Sequence, residues 1–193
     1  MKNTKRYWAA ITIIAALPLL AKAATAIFAG GCFWCMQSDF DKLKGVTKTV
    51  VGYDGGTREN PNYELVSSGA TRYAEAIKVT YNPRTISYAQ LLTYFWRHVD
   101  PTVKNQQFCD HGSQYRTAIF YINAEQKKTA ETSKQATARK LGKTVYTDIT
   151  PSTHFYPAEK YHQDYYKKNP IRYKFYRWNC GRDQRLEKIW HEK

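Results

Sequence analysis

Apolar and polar residues follow one another along the chain with the periods that are typical of strands and helices. The stretch ATAIFAG at 24–30 is a short continuous apolar run, which predicts a buried strand. The next stretch, CFWCMQSDFDKL at 32–43, places Phe33, Met36 and Phe40 on one side of a helix. A Gly-Gly pair joins the two, so the sequence predicts a strand, a tight turn and a helix.

The stretch AEAIKVTY at 74–81 alternates between polar and apolar residues with period two. Glu75, Ile77 and Val79 therefore share one face of a predicted strand, and a carboxyl group lies in register with apolar neighbours. An earlier strand is predicted for VTKTVVGYDGG at 46–56. The segment between these two strands contains no obvious long element and is predicted to be a loop.

The second half of the chain continues the alternation of strands and helices. Ser87 followed by Gln90 forms a capping box that opens an amphipathic helix. Strands alternating with helices predict one α/β (α+β) domain, which we expect to be a two-layer sandwich whose mixed central sheet is flanked by helices. The remaining predicted elements are a strand at 116–122, a helix closed by Gly142, a strand at 144–150, a helix from 157 onward and an aromatic, basic tail.

The first 23 residues have the layout of a secretory signal peptide. Three cations precede an apolar run at 8–20, and an Ala-Lys-Ala site follows. The run is rather short for an uncleaved anchor, and it ends too far before Cys32 for that residue to carry a lipid. We therefore expect an exported, periplasmic protein without stable membrane insertion, whose mature domain spans 24–193.

Charge changes this interpretation little. The chain has a formal net charge of +14, and removing the four cations of the signal segment leaves +10. Such a surface could attract nucleic acid, but Lys and Arg are dispersed over several predicted elements. We expect a solvated basic surface on a monomer that has no nucleic-acid function.

Four cysteines give the chain its candidate chemistry. In an exported protein they would ordinarily form two structural disulfides. Cys32 and Cys35, however, form a C-x-x-C at a predicted helix start, where free N–H groups favour a thiolate, and this spacing suits dithiol–disulfide exchange. Cys109 and Cys180 lie far along the chain without the spacing of a compact metal site, so no metal is expected.

Five motifs in this order and spacing resemble the peptide methionine sulfoxide reductase A family: GGCFWC, VVGYDGG, YAEAI, FCDHGSQYR and FYPAEKYHQDYY. The resemblance covers nearly the whole mature domain. It implies thiol-dependent reduction of (S)-methionine sulfoxide, free or in proteins, as a repair activity under oxidative stress. It also implies a redox-active disulfide, no bound metal or organic cofactor, and a thioredoxin-like protein as reductant. The alternative is a generic secreted dithiol–disulfide oxidoreductase using Cys32 and Cys35.

The residues suit that reaction. Sulfoxide reduction needs a soft nucleophile on sulfur and a proton for the departing oxygen. Cys32 is the candidate nucleophile, with a thiolate favoured by the helix start. Glu75 is the candidate acid, because a carboxyl on an apolar face has a raised pKa and stays protonated near neutrality. Without the resemblance to this family, the more common interpretation of Glu75 would be a residue of an edge strand whose side chain reaches water.

The resemblance assigns the remaining site residues. Phe33 and Trp34 match the apolar wall that receives the substrate methyl group, while Tyr53 and Tyr115 match two phenols that donate to the sulfoxide oxygen. Asp110 matches an acidic residue that holds water and polar groups near the site. Each of these residues could also be ordinary packing or, for Asp110, a turn cap.

Attack by Cys32 leaves a sulfenic acid, which a second thiol must resolve as a disulfide. Cys35, Cys109 and Cys180 are the candidates. We predict Cys180, because it lies in a Gly-containing C-terminal tail that could swing toward the site. Cys35 is the alternative, and a relay from Cys35 to Cys180 is a third route.

Overall fold

The computed structural model describes residues 23–190 of the chain. In chain order its strands and helices are β1 (Ala24–Gly30), α1 (Phe33–Phe40), β2 (Val46–Asp54), α2 (Tyr63–Ser67), β3 (Ala74–Tyr81), α3 (Tyr88–Arg97), β4 (Gln106–Gln107), β5 (Asp110–His111), β6 (Thr117–Tyr121), α4 (Ala124–Leu141), β7 (Asp148–Pro151), β8 (Tyr156–Pro157), α5 (Tyr165–Lys168), α6 (Pro170–Asn179) and α7 (Arg182–Trp190).

Six strands form one mixed sheet in the order β7-β6-β1-β3-β2-β8. Strand β1 pairs antiparallel with β3 and β6, and β2 pairs antiparallel with β3 and β8. Strands β6 and β7 are parallel. The predicted α/β class with a mixed central sheet is confirmed, and β4 with β5 forms a separate two-stranded pair.

Alternate residues of β1 face two different environments. Phe28 stacks between Phe40 of α1 and Phe95 of α3, with ring centroids 5.4 and 5.1 Å apart. Helices α1, α3, α4 and α7 all contribute to the same core on this face of the sheet. On the opposite face Ile27 packs near the partly buried Phe155. The helices thus form one layer against the sheet, which places α1 directly on β1 and β3.

The helix boundaries that sequence chemistry predicts are present. Ser87 and Gln90 form the reciprocal capping box at the start of α3. Gly142 adopts the left-handed conformation after α4, with φ of 60°, as a C-terminal cap requires.

Two segments differ from the prediction. The predicted loop at 57–72 contains the short helix α2, which Asn62 caps by accepting from the Leu65 N–H. The predicted helix from 157 onward is wrong over most of its length, since only α5 is helical before α6. Its side chains have other partners: the Gln163 amide bonds both the N–H and the C=O of Val51 in β2, and Asp164 takes a left-handed φ of 55°. This segment therefore hydrogen-bonds to β2 near the edge of the sheet instead of forming a helix.

The C-terminal tail is not a loose arm in the described chain. Arg182 is 1% exposed and donates to the carbonyls of Gly30 and His98. Trp190 packs in the main core and donates through Nε1 to the Val99 carbonyl. Helices α6 and α7 are therefore integral to the domain, which corrects the prediction that the tail swings.

The signal segment predicted at 1–23 lies, except for its last residue, outside the described residues. Across 23–190, none of the helices combines the length and apolar character that crossing a membrane requires.

Candidate active site

Cys32 is the N-cap residue of α1, at the end of the turn that leaves β1. Its carbonyl accepts from the backbone N–H groups of Cys35 and Met36 at 3.1 and 3.3 Å. Gly31 has a φ of +78°, and a Cβ there would lie 2.5 Å from Cβ of Gln107. A side chain at position 31 would therefore be strained and would collide, which explains the glycine that precedes Cys32.

Glu75 reaches the start of the same helix from β3. Its Oε2 accepts from the Phe33 N–H at 3.0 Å, so the carboxyl group satisfies one of the free N–H groups of α1. The side chain is 3% exposed. Burial raises the pKa of Glu75 to about 8, while the Phe33 N–H acts in the opposite direction. The carboxyl is therefore mostly protonated at neutral pH, as the alternation in β3 predicts.

The two thiols of the C-x-x-C are both free and buried. Burial raises the pKa of Cys32 well above its usual range, and its hydrogen bond with Cys35 acts in the same direction. That hydrogen bond lowers the pKa of Cys35, as do Arg182 and Arg177. The helix N-terminus therefore does not lower the pKa of Cys32 as the sequence predicts: burial outweighs it, and within the pair it is the pKa of Cys35 that is lowered.

A cavity of roughly 100 Å³ opens beside Cys32 and brings together most of the predicted site residues. Its walls are Cys32, Phe33, Trp34, Tyr63, Glu75, Asp110, Tyr115 and Tyr176. One side is apolar and aromatic, and the other carries a carboxyl group and phenols. A small polar group attached to an apolar chain fits such a cavity, with its polar end toward the acid.

The structure does not place Tyr53 in this cavity. Tyr53 pairs with Glu75 across β2 and β3, but its hydroxyl donates to Oε2 of Glu159 at 2.8 Å. Tyr63, which the sequence analysis missed, lines the cavity in its place, and its backbone N–H donates to Oε1 of the same Glu159. The second phenol beside Tyr115 is therefore Tyr63, and Tyr53 helps to hold the carboxylate that positions it.

Trp34 is held by contacts on several sides. Its indole N–H donates to Nδ1 of His162 at 3.1 Å, its ring stacks on Tyr165 with centroids 3.8 Å apart, and Tyr176 packs edge-on. His162 is buried, which lowers its pKa and favours the neutral ring that accepts from the indole. The YHQDYY motif thus orients the apolar wall, a role that the sequence analysis did not assign to His162.

Asp110 lies at the mouth of the cavity, where its carboxylate accepts from the Tyr176 hydroxyl at 2.6 Å. Burial raises the pKa of Asp110, although the Tyr176 hydroxyl and Arg182 act in the opposite direction. This contact links the β4-β5 segment to α6 across the site. Tyr176 was also missed by the sequence analysis.

The predicted resolving residue Cys180 is bonded elsewhere. It forms a disulfide with Cys109, 71 residues away in the chain. Cys35, by contrast, is free and shares a buried cluster with Cys32 and Tyr173. The Cys109 and Cys180 sulfurs lie near the Asp110 carboxylate, but sulfurs joined in a disulfide do not serve as thiolate metal ligands. In this state Cys35 is the thiol available to Cys32.

A buried thiol at a helix start, which shares its cavity with a protonated carboxyl group and three phenols and has a second thiol one helical turn away, defines a thiol oxidoreductase that can deliver a proton to its substrate. The model of the peptide methionine sulfoxide reductase family matches residues 24–193, and the chain belongs to that family. It is thus an enzyme that reduces methionine sulfoxide, as the sequence predicts.

Individual proteins of the same family are similar to this chain over most of its length. The protein named peptide methionine sulfoxide reductase MsrA from Halalkalibacterium halodurans is 49% identical over 167 residues, which cover 86% of this chain and 95% of that protein. The crystal structure of Mxr1 from Saccharomyces cerevisiae in reduced form is 35% identical with a TM-score of 0.75, covering 79% of this chain and 88% of that one. Mxr1 in complex with Trx2 is 26% identical with a TM-score of 0.55, covering 79% and 90%.

The pKa of Glu75 predicts a pH dependence of stability. Between 4.5, its ordinary value, and about 8, the folded protein keeps a proton that the unfolded chain has lost. Raising the pH through this window therefore destabilises the wild type, and Glu75→Gln should remove that part of the pH dependence. Because a tenfold change in proton affinity is worth about 1.4 kcal/mol, the effect should reach a few kcal/mol.

Urea denaturation of both proteins at several pH values between 5 and 8 checks this expectation. The free energy of unfolding of the wild type should fall relative to Glu75→Gln as the pH rises. The exposed Glu131 of α4 offers a matched control, since Glu131→Gln should follow the wild type throughout. Parallel curves for wild type and Glu75→Gln would contradict a protonated Glu75.

Proposed function

We propose that the protein reduces the S epimer of methionine sulfoxide, free or in proteins, through a sulfenic acid on Cys32. The observation that carries the proposal is the cavity in which Cys32 and the protonated Glu75 lie beside an aromatic wall. In the reaction, the Cys32 sulfur attacks the sulfoxide sulfur and gives up its thiol proton, while Glu75 protonates the oxygen; the thiol proton then restores the Glu75 acid. The oxygen then passes to Cys32, which releases methionine and leaves the sulfenic acid.

The two sides of the cavity support discrimination between epimers. The sulfoxide sulfur carries a methyl group and an oxygen, and the two epimers exchange the positions of these groups. Phe33 and Trp34 suit the methyl group, whereas Glu75, Tyr63 and Tyr115 suit the oxygen. The R epimer would place its oxygen against the aromatic rings and leave the buried hydrogen-bond donors unpaired. Both effects weaken its binding.

Cys35 is the proposed resolving residue. It lies one helical turn from Cys32, it is hydrogen-bonded to it, and Arg177 and Arg182 favour its thiolate. Attack of the Cys35 thiolate on the Cys32 sulfur expels the oxygen as water once a proton is supplied, and a Cys32–Cys35 disulfide results. Cys180 can enter only after its bond to Cys109 has been reduced.

A thioredoxin-like protein is the proposed reductant. The yeast relative Mxr1 is described in complex with Trx2, and this chain shares its fold. Export through the N-terminal signal segment is proposed as well. The Cys109–Cys180 bond supports an oxidising compartment, because structural disulfides persist there and are rare in the cytosol.

A generic dithiol–disulfide oxidoreductase explains less of the site. Exchange between disulfides needs the thiol pair but neither a buried carboxylic acid nor phenols around a small cavity. Family membership likewise favours sulfoxide reduction.

Assays with separated epimers test the reaction itself. With dithiothreitol as reductant, the wild type should consume the S sulfoxide of a blocked methionine and leave the R sulfoxide. Cys32→Ser should lose turnover while keeping the circular dichroism spectrum of the wild type, because a hydroxyl is a poor nucleophile toward sulfur. Equal consumption of both epimers, or turnover by Cys32→Ser, would overturn the assignment.

The proposed role of Cys35 predicts which reductants can sustain turnover of a Cys35→Ser variant. Cys35→Ser should still reduce about one equivalent of sulfoxide, since attack needs only Cys32, and dithiothreitol should sustain turnover by reducing the sulfenic acid directly. Thioredoxin with its reductase and NADPH should not sustain it, because thioredoxin requires a disulfide. Thioredoxin-driven turnover at the wild-type rate would show that another cysteine resolves the sulfenic acid.

A further inference from the structure

Helix α6 presents three large apolar side chains to the solvent. Ile171, Phe175 and Trp178 are 83%, 65% and 66% exposed. Because successive residues of a helix are turned by about 100°, these three positions lie on one face. The rings of Phe175 and Trp178 are 6.3 Å apart. We call these three residues the α6 apolar patch.

The patch lies on the outer side of α6, away from the active site. On the other side of the helix, Tyr173 and Tyr176 pack around Cys32 and Cys35 and attach the helix to the domain. Elsewhere in the described residues, the exposed large hydrophobic side chains lie singly on three separate segments, at Ile122, Tyr146 and Tyr161. Single residues of this kind are normal on a protein surface, whereas a contiguous group marks an interaction site.

Positive charge flanks the patch. Arg172 and Lys174 are exposed, and their helix positions lie about a quarter turn to either side of the patch. Lys168 is exposed just before the helix begins. In the part of the chain that the structure describes, none of these three cations forms an ion pair. The sequence from 165 to 180 also contains no acidic residue, so this surface combines apolar side chains with uncompensated positive charge.

We propose that the α6 apolar patch binds the surface of an anionic lipid bilayer. Aromatic residues on one face of a helix, with Lys and Arg beside them, are typical of helices that lie in the plane of the membrane interface. Trp suits this position because its ring is apolar and its N–H is polar. In the bound state Phe175 and Trp178 enter the boundary between headgroups and acyl chains, and Arg172 and Lys174 contact lipid phosphates. The contact is peripheral and requires no spanning helix.

Two other occupants fit the patch less well. A second copy of the chain would bring the same cations face to face, and like charges repel each other. An acidic protein would match the charge, but it would need a groove shaped to receive three side chains that protrude from a convex helix. A fluid bilayer accommodates such side chains without a preformed groove. The net charge of +14 on the full chain also attracts it to an anionic surface.

The inference goes beyond the proposed function, since it concerns where the enzyme acts and not what it reduces. Tyr176 lines the active-site cavity from the side of α6 that faces away from the patch. Binding through the patch therefore leaves the cavity open to its substrate.

Co-sedimentation with lipid vesicles tests the apolar contact. The protein without residues 1–23, which contains every described strand and helix, should bind vesicles of phosphatidylglycerol and phosphatidylcholine in about equal amounts. Phe175→Ser combined with Trp178→Ser should lower the partition coefficient about tenfold or more, because two large apolar side chains no longer leave water. The thermal midpoint should stay at the wild-type value, since both side chains are exposed. Ile122→Ser combined with Tyr146→Ser is the matched control and should bind like the wild type.

The lipid headgroup and the flanking cations test the electrostatic contact. The wild type should bind vesicles of phosphatidylcholine alone much more weakly, and added salt should weaken its binding to the mixed vesicles. Arg172→Gln combined with Lys174→Gln should weaken binding to the mixed vesicles. Lys128→Gln combined with Lys143→Gln changes the net charge equally at exposed positions outside α6 and should bind more tightly than that variant.

Three results would overturn the proposal. The first is equal binding of the mixed vesicles by the wild type and the Phe175/Trp178 double variant. The second is no binding by the wild type, which would leave an acidic protein as the occupant. The third is a lipid-free dimer in sedimentation velocity that the double variant loses, which would assign the patch to a second copy. None of these measurements requires turnover, so their outcome is independent of the proposed function.

Discussion

The site depends on one contact, in which the buried Glu75 carboxyl accepts from the Phe33 N–H at the start of α1. The contact ties β3 to α1 and fixes the distance between the candidate acid and the candidate nucleophile Cys32. The same burial keeps the carboxyl protonated at neutral pH, with a pKa of about 8. A carboxyl that reached solvent would be ionised and could not supply a proton to a sulfoxide oxygen.

The C-terminal helices complete the site through buried charge. Arg177 of α6 pairs with Asp39 of α1 at 2.9 Å, and Arg182 of α7 donates to the carbonyl of Gly30, at the turn that precedes Cys32. Both guanidinium groups favour a thiolate on Cys35. Removing one partner of such a buried pair leaves an uncompensated charge, so α6 and α7 contribute both to the stability of the fold and to the positive charge near Cys35.

The sequence predicts the features that depend on local pattern. Alternation in β3 places Glu75 on an apolar face, and the Gly-Gly turn places Cys32 at a helix start. Contacts between distant segments are beyond such patterns: Tyr63 enters the cavity because Glu159, 96 residues later, holds its N–H. The pairing of Cys109 with Cys180 is likewise set by tertiary structure. The raised pKa of Cys32 reflects burial, which spacing alone does not predict.

In the proposed reaction, Cys32 attacks the sulfoxide and the neighbouring Cys35 resolves the sulfenic acid. The test is to let the wild type react with one equivalent of the S sulfoxide in the absence of reductant, to quench the reaction, and to map the disulfides by mass spectrometry. We expect a new Cys32–Cys35 disulfide, with the Cys109–Cys180 disulfide intact. A bond between Cys32 and Cys180, with Cys109 released as a free thiol, would contradict it.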